Sequence, residues 1–369
     1  MKKFIVCFFA LIFVFNLNVS AEYEADMYGN IVDESGIGEI ENYIDDSTKK
    51  ILNDNGIQPS DPDWSSNLSA KNIFEVITEF IKSGGKKPFV IALQTLGIII
   101  LCTLMRHFSV GGVSQKSVQY IGLVVFIGIM GIELYSIINA SITLIKTLSA
   151  FMTAFVPVMA AILAASSRGI TAAGTSGVML LACSTLSNLA AFFLAPCMSG
   201  YLAISMCAGF ADNKGLMKFS SAFKKTIMWT FSLAVSIFLG ILSIKGGIDS
   251  IKDTLSLKTL RYVLGSTVPV AGTVLSESVN NLVYSLTLLK KSAGMYAIIA
   301  ITLMVAPILI EILCFRLSIF LLSATAELFE CDTFSKSIEI FDDMLSLLTG
   351  LLLLVFALFV ISLGIVVSI

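Results

Sequence analysis

Histidine is almost missing from this 369-residue chain: it has one, His107. A catalytic triad would have to draw on this one residue, and a metal centre built on several histidines is excluded. Charge is scarce as well, at 14% Asp, Glu, Lys and Arg, against roughly 25% in soluble domains. The seven cysteines show no C-x-x-C spacing. Cys102, Cys183, Cys197, Cys207 and Cys314 fall in apolar stretches, which marks them as small hydrophobes and argues against a disulfide framework or zinc site. No basic patch is interleaved with aromatic residues, so nucleic acid is not expected as a partner. Gly84-Gly85-Lys86-Lys87 lacks the spacing and the Ser/Thr of a phosphate-binding loop, and no cofactor-binding motif is found.

What the chain has in abundance is apolar sequence. It is 56% hydrophobic, with a mean hydropathy of +0.90. Stretches able to cross roughly 30 Å of hydrocarbon recur from Phe89 onward. The fold class expected is all-α, a polytopic integral membrane protein with about 7–10 membrane segments. Residues 1–21 read as a secretory signal, with Lys2 and Lys3, an apolar run from Phe4 to Leu17, and Val19-Ser20-Ala21 as the cleavage site. Residues 22–88 follow as an acidic extracytoplasmic segment, with Glu22, Glu24, Asp26, Asp45, Asp46, Asp61 and Asp63 among its acids. Two amphipathic helices are expected in it. Ile37, Ile40, Ile44, Ile51 and Leu52 mark the first, and Ile73, Ile77, Phe80 and Ile81 the second. Asn53-Asp54-Asn55-Gly56 reads as a turn.

The membrane part repeats itself. Lys146-Thr147-Leu148 and Val156-Pro157-Val158 return as Lys258-Thr259-Leu260 and Val268-Pro269-Val270, 112 residues later and without a gap. Phe126, Gly128, Ile129 and Ile132 match Phe238, Gly240, Ile241 and Ile244 at the same offset. Such internal symmetry is typical of membrane conduits and transporters. The expected organisation is a first span and loop at 89–117, repeat 1 at 118–225, repeat 2 at 226–343, and a C-terminal span at 344–369. Lys214, Lys218, Lys224 and Lys225 place 212–225 on the cytoplasmic side by the positive-inside rule. The block Gly294–Phe329 reads as two crossings or a broken re-entrant pair.

Candidate functional residues are those that do not belong in lipid. Pro157 and Pro269 each remove a backbone donor, and matched interruptions in two halves point to a central site; the alternative is a kink used for packing. Gly272 and Glu277 follow the second proline. Glu133, Lys146, Lys258, Glu311 and Arg316 are ionisable groups within apolar sequence, as pathway lining, buried pairs or side chains snorkelling to the interface. Glu311 and Arg316 lie five apart and so are not stacked on one helix face. Gly174-Thr175-Ser176-Gly177 has the shape of a protease serine motif, but His107 lies upstream of it, and close packing of small residues explains the run. The chain is not expected to be an enzyme.

Phe155-Val156-Pro157-Val158-Met159-Ala160-Ala161, Thr267-Val268-Pro269-Val270-Ala271-Gly272 and the run Leu275-Ser276-Glu277-Ser278 resemble the stage III sporulation protein AE family of endospore-forming bacteria. The resemblance covers essentially the whole length. It implies a multi-pass protein of the mother-cell membrane around the forespore, a non-catalytic scaffold or conduit subunit of a mother cell-to-forespore channel. The partners it implies are a cytoplasmic secretion-type ATPase, ring-forming membrane proteins and a forespore membrane protein. The alternative is an independent secondary transporter with its site between the two proline segments.

Overall fold

A computed structural model describes residues 37–58, 70–107, 115–165, 169–211, 214–267, 271–329 and 331–368. The signal expected at 1–21, and Pro269 with its neighbours, lie outside the described residues. Among the described residues no strand occurs. The elements are a 3-10 helix Ile37–Tyr43, α1 Asp46–Asp54, α2 Ala70–His107, α3 Gln115–Ala165, α4 Gly169–Asn188, a π-helical segment Leu189–Leu194, α5 Ala195–Ala211, α6 Lys214–Thr267, α7 Ala271–Leu328 and α8 Asp332–Ser368. A backbone in lipid must satisfy its own hydrogen bonds, and the helix does this within one segment. Hydroxyls in the apolar helices bond back to the preceding turn, as in Thr95 to the Ile91 carbonyl, Ser141 to Ile137 and Thr302 to Ile298.

The expected N-terminal amphipathic helix is present in two pieces. Ile37, Ile40, Ile44 and Leu52 are buried, and the 3-10 helix packs on α3. Asp45 separates the pieces, because its carboxylate caps α1 by accepting from the Thr48 N–H at 3.1 Å. Gly56 closes α1 with φ 64. Its N–H donates to the Asn53 carbonyl and that of Ile57 to Leu52, a left-handed cap in which the buried Ile57 covers the end. The second amphipathic stretch is not a separate helix. It continues through Pro88 into the first span, forming the 38 residues of α2.

Six helical stretches are long and apolar enough to cross a membrane among the described residues: Thr78–Met105, Tyr120–Ala165, Ala172–Cys207, Gly215–Lys245, Leu286–Leu328 and Phe334–Val367. Those in α3 and α7, of 46 and 43 residues, far exceed the ~20 residues that one crossing needs. The polytopic all-α class stands. The block Gly294–Phe329 lies in the single continuous helix α7 as far as Leu328. α4 and α5 are joined end to end by the π segment. Pro196 follows that segment, and its ring cannot donate to the carbonyl four residues back, which favours a locally widened turn.

α8 is the central helix. It touches α3, α5, α6 and α7, and its best apolar window is 56% buried, against 22% for α6, which lies at the periphery. Phe126 of α3 meets Phe334 and Phe341 of α8 edge-on, with centroids 5.9 and 5.5 Å apart. At the other end, Gly294 of α7 lies so close to α8 that a Cβ on it would stand 2.0 Å from Val367 Cγ2 and 3.8 Å from Met159 Cε of α3. No larger residue fits there without movement.

Candidate functional site: a charged layer across the bundle

Among the described residues, ion pairs join helices that hydropathy alone would leave as separate greasy rods. The first ties α2 to α3, with Lys87 Nζ 2.6 Å from Glu133 Oε2. Lys87 is half-exposed, whereas Glu133 is 19% exposed. Glu311 of α7 interacts electrostatically with both. α2 meets α7 at Gly84-Gly85, where a Cβ on Gly84 would lie 3.7 Å from Glu311 Cα and one on Gly85 3.8 Å from Cys314 Sγ, ordinary packing distances. The Lys87 ammonium thus touches one carboxylate, Glu133, and lies within electrostatic reach of a second, Glu311. Ionised partners in a low-dielectric interior interact far more strongly than in water, and a carboxylate there is stable only with such a partner or a proton.

The second pair closes the α7–α8 hairpin. Arg316 Nε donates to Asp342 Oδ1 at 2.8 Å, and a terminal guanidinium nitrogen donates to Oδ2 at 2.9 Å. This is the bidentate fork that planar guanidinium makes with carboxylate. Arg316 is 11% exposed. The third pair joins α6 to α8, with Lys224 Nζ 2.7 Å from Asp343 Oδ1. Beside it, Ser205 of α5 and Ser220 of α6 are buried with their hydroxyls 2.5 Å apart. The Tyr201 hydroxyl hydrogen-bonds both and feels the Asp343 charge.

Glu311 and Arg316 thus belong to one layer but are paired with different helices, Arg316 with Asp342 and not with Glu311. Pro157 sits inside α3, exposed, and the helix runs on through it to Ala165. Gly272 and Glu277 lie in the first turns of α7, with their side chains outside the described residues, as is that of Lys258. Lys146 is exposed and borders an open hollow of about 420 Å³, shared with Asn42, Tyr43 and Asp45 of the N-terminal piece. The Ser176 hydroxyl donates to the Ala172 carbonyl, an ordinary helical back-bond. Among the described residues no three His, Cys, Asp or Glu side chains converge to hold a metal ion.

Sequence reasoning marked Glu133 and Arg316 but missed Lys87, Asp342 and Asp343 as their partners and that of Lys224. The signal available was position: Lys87 immediately precedes the first apolar run, and Asp342-Asp343 stand just before the last, which begins at Leu345. The layer is tightly closed. The cavity beside Glu133, walled by Met130, Ile137, Phe315, Phe341 and Leu345, measures about 10 Å³, room for no more than a single water. What the arrangement does is lock helix positions against one another and hold Glu311 next to a pair that leaves its charge unbalanced.

No solved structure matches the chain. One curated relative is the stage III sporulation protein AE of Bacillus subtilis (strain 168), 22% identical over 271 residues, which are 73% of this chain and 64% of the relative. The chain thus spans a little under two thirds of that relative's length. A family model described as stage III sporulation protein AE matches residues 47–369. The match takes in all six residues of the charged layer on α2, α3, α7 and α8 as well as both proline segments, and the chain belongs to the stage III sporulation protein AE family.

Proposed function

We propose that this protein is a non-catalytic membrane subunit, scaffold or conduit, of a channel or secretion-like complex between mother cell and forespore. It resides in the mother-cell membrane around the forespore, with residues 22–88 outside the cytoplasm. A secretion-type ATPase, ring-forming membrane proteins and a forespore membrane protein are its partners. One observation carries the reading: family membership over residues 47–369 coincides with a bundle whose polar chemistry is spent on joining helices. The cavity beside Glu133 holds about 10 Å³, too little for a substrate next to that cluster. A passage formed with neighbouring copies or partners is the corresponding role. The two halves related by 112 residues, with Pro157 and Pro269 as their matched elements, and Gly272, Glu277, Glu311 and Arg316 belong to this proposal as its pathway or packing elements.

The second reading is a secondary transporter of a small solute. Glu311 beside the Lys87–Glu133 pair favours it, since an unbalanced intramembrane carboxylate is where a coupling ion would act. Deletion in a sporulating host separates the two. A channel subunit, when lost, arrests development after engulfment, and an affinity-tagged copy retrieves the ATPase and ring proteins. A transporter works alone in liposomes, with a flux that changes when the driving ion is replaced. Normal sporulation of the deletion strain overturns the first reading.

A further inference from the structure

The outer face of α6 is unlike any surface turned toward protein. Trp229, Leu233, Ile237 and Ile241 follow each other at four-residue steps, and all four are exposed. Lys225 stands one step before Trp229 and Lys245 one step after Ile241, and both are exposed too. The 20 residues from Lys225 to Lys245 span about 30 Å of helix, which equals the hydrocarbon thickness of a bilayer. An apolar ridge of that length, with a lysine at each end and a tryptophan at one margin, is what a lipid-facing helix presents. Lipid, and not a protein groove, is the occupant that this length selects.

Beyond Lys225 the same face continues into Lys218, two turns earlier and exposed, with Leu216, Met217 and Phe219 exposed beside it. Phe219 is held by stacking on Phe223, with centroids 6.4 Å apart. Lys224 points the other way and is bound to Asp343. Lys218 and Lys225 make no ion pair among the described residues. Two outward ammonium groups flanked by exposed apolar side chains, where a helix leaves the hydrocarbon, have the chemistry that recognises negative headgroups. We propose that the α6 face bearing Lys218, Lys225 and Phe219 is a docking site for anionic phospholipid headgroups at one edge of the bilayer. The lysines take the phosphate charge, and Phe219, about 9 Å of helix beyond Lys225, lies at the level of the headgroups. This inference is independent of the channel or transporter reading.

The test uses the full chain, purified in detergent containing equal amounts of phosphatidylglycerol and phosphatidylcholine, with retained lipid counted by mass spectrometry. The wild type is expected to retain phosphatidylglycerol above its share in the mixture. The Lys218→Ser/Lys225→Ser variant loses that enrichment, by roughly fivefold per lysine, and Lys218→Arg/Lys225→Arg keeps it. Lys245→Ser, at the opposite end of the ridge, leaves it unchanged. Excess free glycerol phosphate does not displace the lipid. The proposal is overturned if the wild type retains both lipids equally, if Lys245→Ser lowers retention as much as the double variant, or if free glycerol phosphate competes. It is overturned equally if a well-folded serine double variant, monodisperse and fully helical by circular dichroism, keeps its phosphatidylglycerol.

Discussion

Arg316 and Asp342 face each other across the hairpin of α7 and α8, 26 positions apart in sequence and joined by hydrogen bonds of 2.8 and 2.9 Å. The pair fixes the vertical register of the two helices that share much of the core.

Arg316→Ala removes both bonds and leaves Asp342, which is 38% exposed, without its partner. The expected loss is about 2 kcal/mol, the range for hydrogen bonds to charged groups, and water reaching Asp342 keeps it below the cost of a fully buried charge. Thermal unfolding in detergent measures it. The exchanged pair Arg316→Asp/Asp342→Arg recovers part of the loss, and equal stability of wild type and Arg316→Ala contradicts the assignment.

Gly294→Ala places a methyl 2.0 Å from Val367 Cγ2. Overpacking of this kind costs about 1–3 kcal/mol. Val367→Ala in the same chain removes the colliding methyls, so the double variant is more stable than Gly294→Ala alone. Additive losses would show that the two residues do not meet.

Lys87→Met and Glu133→Gln are coupled by one short contact, 2.6 Å, with Lys87 half in solvent. A double-mutant cycle on unfolding gives a coupling of about 1 kcal/mol, limited by that exposure. Glu311→Gln, which lightens the negative side of the cluster, is expected to reduce the cost of Lys87→Met. A zero coupling between Lys87 and Glu133 removes the first leg of the layer.

Thiol chemistry reports on the packing of α4 and α5. Cys207 is exposed, whereas Cys102, Cys183 and Cys331 are buried. A membrane-permeant maleimide should label Cys207 in the folded protein and reach Cys183 only after denaturation. Rapid labelling of a chain that keeps Cys183 as its sole cysteine would contradict the packing of α4.

Hydropathy made the helical class and the membrane legible, because lipid leaves the backbone one economical solution. The spacing of Ile37, Ile40, Ile44 and Leu52 revealed a buried face, and Asn53 to Gly56 revealed the cap. Helix ends were harder. The weakly amphipathic stretch Asn139–Ser149 lies inside a helix: Ser141 and Thr147 satisfy themselves on the preceding turn, and α3 passes straight through. Pro88, Pro157 and Pro307 likewise lie inside helices, since one missing donor does not outweigh the packing on either side. The partner of Glu133 was invisible for a different reason. Pairing across helices is a tertiary fact, set by how α2, α3 and α7 pack together, and no local period encodes it.

Asp342 and Asp343 are neighbours, so their side chains leave α8 about 100° apart, one bound to α7 and the other to α6. A rotation of α8 that slackens one tether tightens the other. The two consecutive aspartates act as a yoke, tying a single turn of the central rod to the helices on both of its sides at once.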